Sequence, residues 1–260
     1  MITEPECQPA AFDQAELTED AFLNGRLKLF QPKRGYRAAT DPVFLAAACP
    51  AQSGDTVLDV GSGVGAASFC LAARVRGAQV SGLELQAAYA ELSERNASRN
   101  GVDWRVWVGN VASPPAELRS LSFDHVITNP PFHSSAEAVG SSIDAKDAAN
   151  RETVSLEAWL DCCLRRLKPK GSLTIIHRVE RVPQILSALK DRTGDTRLHP
   201  LWPRAGKPAK RVVIRSIKDA RAPFRVGVGL VLHDGVHDQD GDDFSDAAQA
   251  ILRNGAALEL

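Results

Sequence analysis

Residues 57–65 read VLDVGSGVG. The run Val57-Leu58-Asp59-Val60 has the β-branched, apolar content of a buried strand. Gly61, Gly63 and Gly65 follow at alternate positions. Glycine there lets the chain turn tightly and lets its backbone come close to a ligand. The next stretch, AASFCLAARV (66–75), predicts a helix whose first N–H groups point back toward the turn. Strand, glycine turn and helix in this order open a nucleotide-binding α/β unit.

Working outward, the alternation continues. Strands are predicted at DTVLDV (55–60), AQVSGLE (78–84), WRVWV (104–108), FDHVIT (123–128) and GSLTIIH (171–177). Helices are predicted at 66–75, across QAAYAELSERNASRN (86–100) and at SLEAWLDCCLRRL (155–167). Near-continuous apolar strands separated by helices imply a parallel sheet covered on both faces. Beyond residue 195 the pattern changes: TRLHPLWP, KRVVIRSI and RVGVGLVLH are strand-like with no helix between them. A sheet ending in an antiparallel pair or meander is expected there, with FSDAAQAILRNGAAL as a closing helix. Upstream, Asn24-Gly25 between short apolar runs signals a tight hairpin, and Asp41-Pro42 marks a helix start. The reading is a mobile acidic segment over 1–20 and one domain over 21–260. That domain divides into hairpin and lid or helix (21–50), cofactor-binding core (51–195), and C-terminal strands with a closing helix (196–260).

Composition is that of an ordinary soluble domain, 44% apolar and 24% charged over 260 residues. No apolar stretch reaches the roughly 18 residues that span a bilayer. The first 20 residues hold six acids and no base, unlike a signal peptide, so a cytoplasmic protein is expected. Five cysteines, Cys7, Cys49, Cys70, Cys162 and Cys163, form no C-x-x-C pair and are odd in number. Buried free thiols are expected rather than disulfides or a zinc site. The polar loop DGVHDQDGDD (234–243) lacks calcium-loop spacing, and the His233/His237 pair is assigned to no metal.

The glycine turn alone leaves the donor open, because GSGVGA also satisfies the dinucleotide pattern G-x-G-x-x-A. Glu84 ends the second strand about 20 residues on, where a carboxylate accepts from ribose hydroxyls. Asp59 stands immediately before the turn. A carboxylate there repels a pyrophosphate and neutralises an ammonium, which favours S-adenosylmethionine.

A second feature points the same way. Residues 129–132 read NPPF, directly after the apolar run Val126-Ile127-Thr128. In a doubly wound sheet, ligands sit beyond the carboxyl ends of the strands, where this tetrapeptide emerges. Pro130 and Pro131 fix φ, remove N–H groups and restrict their predecessors, so Asn129 is held in one orientation. The set suits a planar group bearing NH2. Asn129 and the Pro130 carbonyl would accept its two hydrogens, and Phe132 would stack on the ring. Chance would place an Asn-Pro-Pro-aromatic run in a chain of this length on the order of once in a few hundred.

This combination resembles the class I methyltransferases that carry an Asn-Pro-Pro-aromatic motif. Among them the chain is most similar to the bacterial tRNA adenine-N6 methyltransferases that modify the purine beside the anticodon of valine tRNA. The resemblance covers roughly residues 20–258. It rests on DAFLNGRLKLFQPKRGYRAATDPVFLAAA, VLDVGSGVGAASFCLA, GLELQ, NPPFH, LKPKGSLTIIHR and GKPAKRVVI. It implies a Rossmann-like, doubly wound, mostly parallel seven-stranded sheet with an antiparallel C-terminal edge. By the same resemblance Asp59, Gly61 and Gly63 line the methionine moiety, Glu84 holds the ribose and Leu85 packs on the adenine. The segment Tyr36 to Asp41, including Arg37 and Thr40, closes over the cofactor. Where the family often has Asp at the third strand's end, this chain has Asn110 followed by Val111, and an amide oxygen still accepts from the adenine amine.

The acceptor is expected to be RNA. Residues 204–225 hold eight bases against the single acid Asp219. If TRLHPLWP is a parallel strand, the connection RAGKPAKR borders the pocket with Arg204, Lys207, Lys210 and Arg211. Lys28, Lys33, Arg34 and Arg37 would extend the track along a phosphate backbone whose target base is swung out. His133 is a candidate substrate contact. Guanine-N2 methyltransferases of ribosomal RNA share the pentapeptide NPPFH and stand as an alternative. A glutamine-N5 protein methyltransferase would use the same tetrapeptide but leaves the basic block without a purpose. A noncatalytic cofactor- or RNA-binding module is the other class, and an intact Asn129 and Phe132 argue against it.

Overall fold

The structure is a computed structural model that describes residues 11–131, 154–235 and 243–260. It opens with a hairpin, β1 (Leu17–Phe22) against β2 (Leu27–Pro32), with Leu17 opposite Pro32. Leu23, Asn24 and Gly25 take φ of 51°, 57° and 80° in the connection, as the Asn-Gly signal predicts. The expected boundary at residue 20 moves. Residues 17–20 fall in the segment expected to be mobile for want of apolar periodicity, yet they pair with β2 and bury Leu17. Residues 1–10 lie outside the described residues.

The hairpin is held to the rest by two asparagines one turn apart on α3 (Ala87–Asn100). Asn96 accepts from the Phe30 N–H at 2.7 Å and donates to the Phe30 and Val64 carbonyls at 3.0 and 3.1 Å. Asn100 accepts from the Lys28 N–H at 3.0 Å and donates to the Lys28 carbonyl at 2.9 Å. Two amide side chains thus do for β2 what a neighbouring strand would do. This fixes where the following segment, residues 33–40, leaves the hairpin.

The main sheet follows the alternation read from the sequence. It comprises β3 (Thr56–Val60), β4 (Gln79–Glu84), β5 (Arg105–Val108), β6 (Phe123–Thr128), β7 (Leu167–Arg178), β8 (Thr193–Trp202) and β9 (Arg211–Lys218). Two short strands, β10 (Arg225–Val226) and β11 (Leu230–Val231), both pair with β8. The order is β10-β8-β9-β7-β6-β3-β4-β5. Only β9 is antiparallel to its neighbours, so β8 points the same way as β3 to β7. Strand order reverses at β3, which pairs with β4 on one side and β6 on the other. Ligands bind beyond the carboxyl ends of strands at such a switch point.

The C-terminal region departs from expectation in one detail. RVGVGLVLH reads as one strand, but Gly227 and Gly229 divide it into β10 and β11. Gly229 has φ +84°, and a Cβ there would lie 2.3 Å from the Trp202 indole nitrogen. Among the described residues seven strands, β3 to β9, build the body of the main sheet, as expected.

Helices cover both faces. α1 (Asp41–Ala48), α2 (Ala66–Arg74), α3 and α7 (Asp246–Asn254) pack on one, where Val57, Ile127, Ile176 and Val213 project. α5 (Leu156–Arg166) and α6 (Val182–Leu189) pack on the other, against Leu58, Val126, Ile175 and Ile214, while α4 (Ala116–Arg119) adds Leu118. Strand residues adjacent in sequence thus enter opposite cores, which explains why these strands are apolar throughout. Cys49, Cys70, Cys162 and Cys163 are buried free thiols. Among the described residues no helix is long and apolar enough to cross a membrane. No group of three or more potential metal ligands gathers among them either.

Candidate active site

The turn after β3 has the backbone its glycines permit. Gly61, Gly63 and Gly65 take φ of 77°, 53° and 85°, a region that favours glycine. A Cβ on Gly65 would lie 2.3 Å from the Phe69 ring, and one on Gly61 would lie 2.6 Å from the Trp159 ring. The Gly61 N–H is bound to the Leu83 carbonyl at 2.8 Å.

Two buried carboxylates flank this turn. Glu84, 7% exposed at the end of β4, accepts from the Gly63 N–H at 2.9 Å and the Gln86 N–H at 3.0 Å. Asp59, 2% exposed, accepts from the Ser68 hydroxyl at 3.0 Å. Burial pushes the Asp59 carboxyl up to about 7; the Ser68 bonds pull against it and the Glu84 charge adds to it. A carboxylate held so far from water, with no cation beside it among the described residues, favours an arriving ammonium.

β6 ends level with β3, Thr128 opposite Val60. The Asn129 amide nitrogen donates to the Tyr36 hydroxyl at 3.4 Å, while its oxygen is buried and has no hydrogen-bond partner among the described residues. Desolvation, then the Asp41 and Asp59 carboxylates, push the Tyr36 phenol up to about 12. Although 43% of that residue's surface is exposed, it is a neutral hydroxyl in either environment. Tyr36 also approaches Gly63, whose Cβ would lie 3.7 Å from its ring. Tyr36, Asp59, the glycines, Glu84 and Asn129 are therefore brought together. Pro130 is buried and Pro131 exposed; Phe132 and His133 lie outside the described residues.

Other expected residues sort differently. Leu85 is 44% exposed just past Glu84. The Asn110 oxygen accepts from the Ala112 N–H at 2.9 Å, closing a turn that leaves Val111 buried. Thr40 is the N-cap of α1, making no side-chain cap bond. Arg37, expected over the cofactor, instead turns back to the hairpin. Its guanidinium donates to Thr18, to the Pro32 carbonyl and, at 2.7 Å, to Asp20.

The basic block also divides. Arg204, expected on an RNA track, is paired with Asp243 and the Gly235 carbonyl. Arg211 is bound to Asp41 at 2.9 Å, at the start of α1. Lys33 donates to the Ala15 carbonyl at 2.7 Å, and Lys28 pairs with Glu19 at 3.7 Å. Arg34, Lys207 and Lys210 are exposed, the two lysines just past the carboxyl end of β8. His233 bonds Asp243 at 2.5 Å and stacks on Phe244; His237 lies outside the described residues.

Trp159 on α5 was not foreseen. Its indole N–H donates to the Thr128 hydroxyl at 2.8 Å and its ring covers Gly61. No local pattern marks it, since a tryptophan on an amphipathic helix reads as core. A cavity of about 750 Å³ opens at the opposite ends of the strands, around Thr56, Gln79 and Phe123, and holds none of the groups just described. We give it no catalytic role, because chemistry at a switch point belongs to the other end.

The sequence profile described as "Methyltransferase small domain" matches residues 40–192. The tRNA1(Val) (adenine(37)-N6)-methyltransferase of Porphyromonas gingivalis (strain ATCC 33277) is 28% identical over 208 residues, 75% of this chain and 79% of that protein. The protein of the same name from Vibrio parahaemolyticus is 26% identical over 219 residues, 81% and 86% of the two chains. Among solved structures, a predicted O-methyltransferase from Agrobacterium tumefaciens superposes with a TM-score of 0.67 at 24% identity. That superposition covers 84% of this chain and 98% of the other, and shows the shared fold. The matched profile spans more than half of the 260 residues and includes both strand ends described above, and the chain belongs to the methyltransferase small domain family.

Proposed function

We propose that the chain transfers a methyl group from S-adenosylmethionine to the N6 amine of an adenine in tRNA, in the cytoplasm. The observation that carries this reading is the Asn129 oxygen, a buried acceptor without a partner among the described residues, at the end of β6 and level with the glycine turn. An unpartnered buried acceptor costs stability, and such a group in a cleft marks a ligand contact. An amine hydrogen supplies the missing partner. Relatives over three quarters of the chain, named for adenine-N6 methylation of tRNA, support the choice of base and RNA.

The residues present fit the cofactor. Asp59 offers a buried negative charge for the methionyl ammonium, and Glu84 offers a carboxylate edge for ribose hydroxyls. Gly61 and Gly63 supply the positive φ that the turn needs, and Leu85 gives an apolar surface for the adenine. When bound, S-adenosylmethionine supplies an electrophilic methyl carbon on a sulfonium.

The chain's own residues do the rest. An adenine N6 lone pair is delocalised into the ring, so the nitrogen is a poor nucleophile. Asn129 Oδ1 and the Pro130 carbonyl would accept its two N–H hydrogens, favouring a pyramidal nitrogen with density available for attack. The Tyr36 hydroxyl occupies Nδ2 of Asn129, which leaves Oδ1 as the acceptor facing the amine. The two prolines keep these acceptors preset, so orientation is in place before the amine arrives. Phe132 would stack on the base. The acceptors hold the amine proton until water takes it after transfer. Lys207 and Lys210, exposed past β8, would meet phosphates flanking the target base, with Arg34 on the other side.

The test is tritiated methyl transfer to total RNA from a strain lacking the protein, followed by nucleoside analysis. Labelled N6-methyladenosine in tRNA is the expected product. Labelled N2-methylguanosine moves the reaction to guanine, label on glutamine moves it to protein, and no label with intact RNA binding removes the enzymatic reading.

A further inference from the structure

We propose that Trp159 is a positioning residue that locks the donor turn and the acceptor motif into one register. The inference rests on the methyl-transfer reading above and concerns a residue outside both motifs. Trp159 sits in the first turn of α5, where Ser155 caps the helix by accepting from the Ala158 N–H at 3.2 Å. Its indole N–H donates to the Thr128 hydroxyl at 2.8 Å. Thr128 in turn donates to the Val60 carbonyl at 2.8 Å. A hydroxyl has one hydrogen, so with that hydrogen on Val60 the Thr128 oxygen is an acceptor and the indole is its donor. The chain of two bonds therefore has one direction, and the Cys163 thiol is a further partner of the same hydroxyl.

Its ends are the two places where geometry matters most. Val60 is the last residue before Gly61, and Thr128 is the last before Asn129. The indole ring also lies where a Gly61 side chain would be, 2.6 Å from the notional Cβ. One side chain thus touches the turn by its ring and the motif strand by its N–H. Thr128 is fully buried, so neither bond is exchanged with water. A tryptophan buried for its area alone would need none of these contacts. Losing the N–H frees the Thr128 oxygen to shift, and a displacement of reacting groups by about 1 Å costs on the order of 10²-fold in rate.

Trp159→Phe keeps a ring over Gly61 and removes the donor; Thr128→Val keeps shape and removes the hydroxyl. In each, kcat for methyl transfer to unmodified tRNA is expected to fall about tenfold while affinity for S-adenosylhomocysteine changes less than about threefold. The double variant is expected to be no slower than the worse single one, because both break one chain. Binding of S-adenosylhomocysteine should change the tryptophan fluorescence of the wild type, and Trp159→Phe should lose that change. Near-normal kcat in Trp159→Phe, losses that multiply in the double variant, or a fluorescence change that survives in it would overturn the role. A wild type that transfers no methyl group removes the proposed function itself, and this role with it.

Discussion

β3 and β6 are neighbours that end at the same level, and they end in opposite ways. β3 runs into three glycines with positive φ. β6 runs into two prolines. Glycine admits a backbone shape that side chains forbid; proline forbids nearly every shape but one. The proposed donor side is therefore backbone and buried carboxylate, with the Trp159 and Tyr36 rings packed against the glycines. On the acceptor side a single amide is aimed and held. The contrast matches what the proposed roles require: a donor gripped along its length, and a planar amine oriented at one atom.

The sharpest way to separate the two ends is Asn129→Ala. Removing one preset polar contact of this kind costs about 10²–10³-fold in kcat. Donor affinity, measured by calorimetry, is expected to stay within about threefold, since donor grip belongs to the other strand. A parallel loss of donor binding would merge what the comparison divides.

Gly61→Ala attacks the opposite end. A Cβ at φ +77° meets the Trp159 ring, so the turn must distort. Such strain costs about 1–3 kcal/mol of stability, and a loss of donor affinity of tenfold or more is expected with it. Unchanged affinity would mean that the donor does not approach this turn.

Asp59→Asn sharpens the electrostatic half. The folded Asp59 carboxyl titrates near about 7 against 3.8 for an ordinary one, because burial disfavours its charge. An unfolded chain releases this proton at lower pH than the folded one. The fold is therefore penalised progressively as pH rises from about 4 to about 7, and fully above that, by several kcal/mol. The amide removes the penalty. Asp59→Asn is expected to raise Tm at pH 8, with the gain shrinking toward pH 5, while weakening donor binding at both. In the wild type, donor affinity should fall as pH drops below about 7, since an ammonium needs the ionised form.

Much of the scaffold was legible in residues 57–65 and 123–128, where apolar runs, glycines and prolines act locally. The predicted strands there match β3 and β6 to within a residue. β7 starts earlier than predicted, at Leu167, and it is irregular there: the ladder passes from Phe123–Leu167 to His125–Ser172, with Lys170 at φ +65° in the extra stretch. The partners of charged residues were not legible. Arg211 finds Asp41 170 residues away, and Arg204 finds Asp243 across the closing loop. Arg37 finds Asp20 through the hairpin. Such pairings depend on tertiary placement, so a block of bases in sequence overstated what remains for RNA. Trp159 was missed for the same reason: its partner Thr128 is 31 residues away and carries no helical or strand periodicity to it.

The smallest expected effects follow from that sorting. Lys207→Gln with Lys210→Gln should raise KM for tRNA a few-fold and flatten its salt dependence by about one to two in slope, leaving kcat near normal. Arg204→Gln, by contrast, should lower Tm without changing that slope. The reverse pattern would restore Arg204 to the RNA surface.

Asn96 carries a last consequence. Its side chain accepts from the Phe30 N–H and donates to the Phe30 carbonyl in the hairpin and to the Val64 carbonyl inside the glycine turn. Two segments far apart in the chain thereby share one rigid amide, completely buried. Thermodynamic reciprocity then applies: whatever steadies the turn steadies the hairpin, and whatever loosens the hairpin weakens the hold on whatever the turn grips. The chain's opening strands are in that sense an outlying wall of the proposed donor pocket, with one buried amide bridging the two.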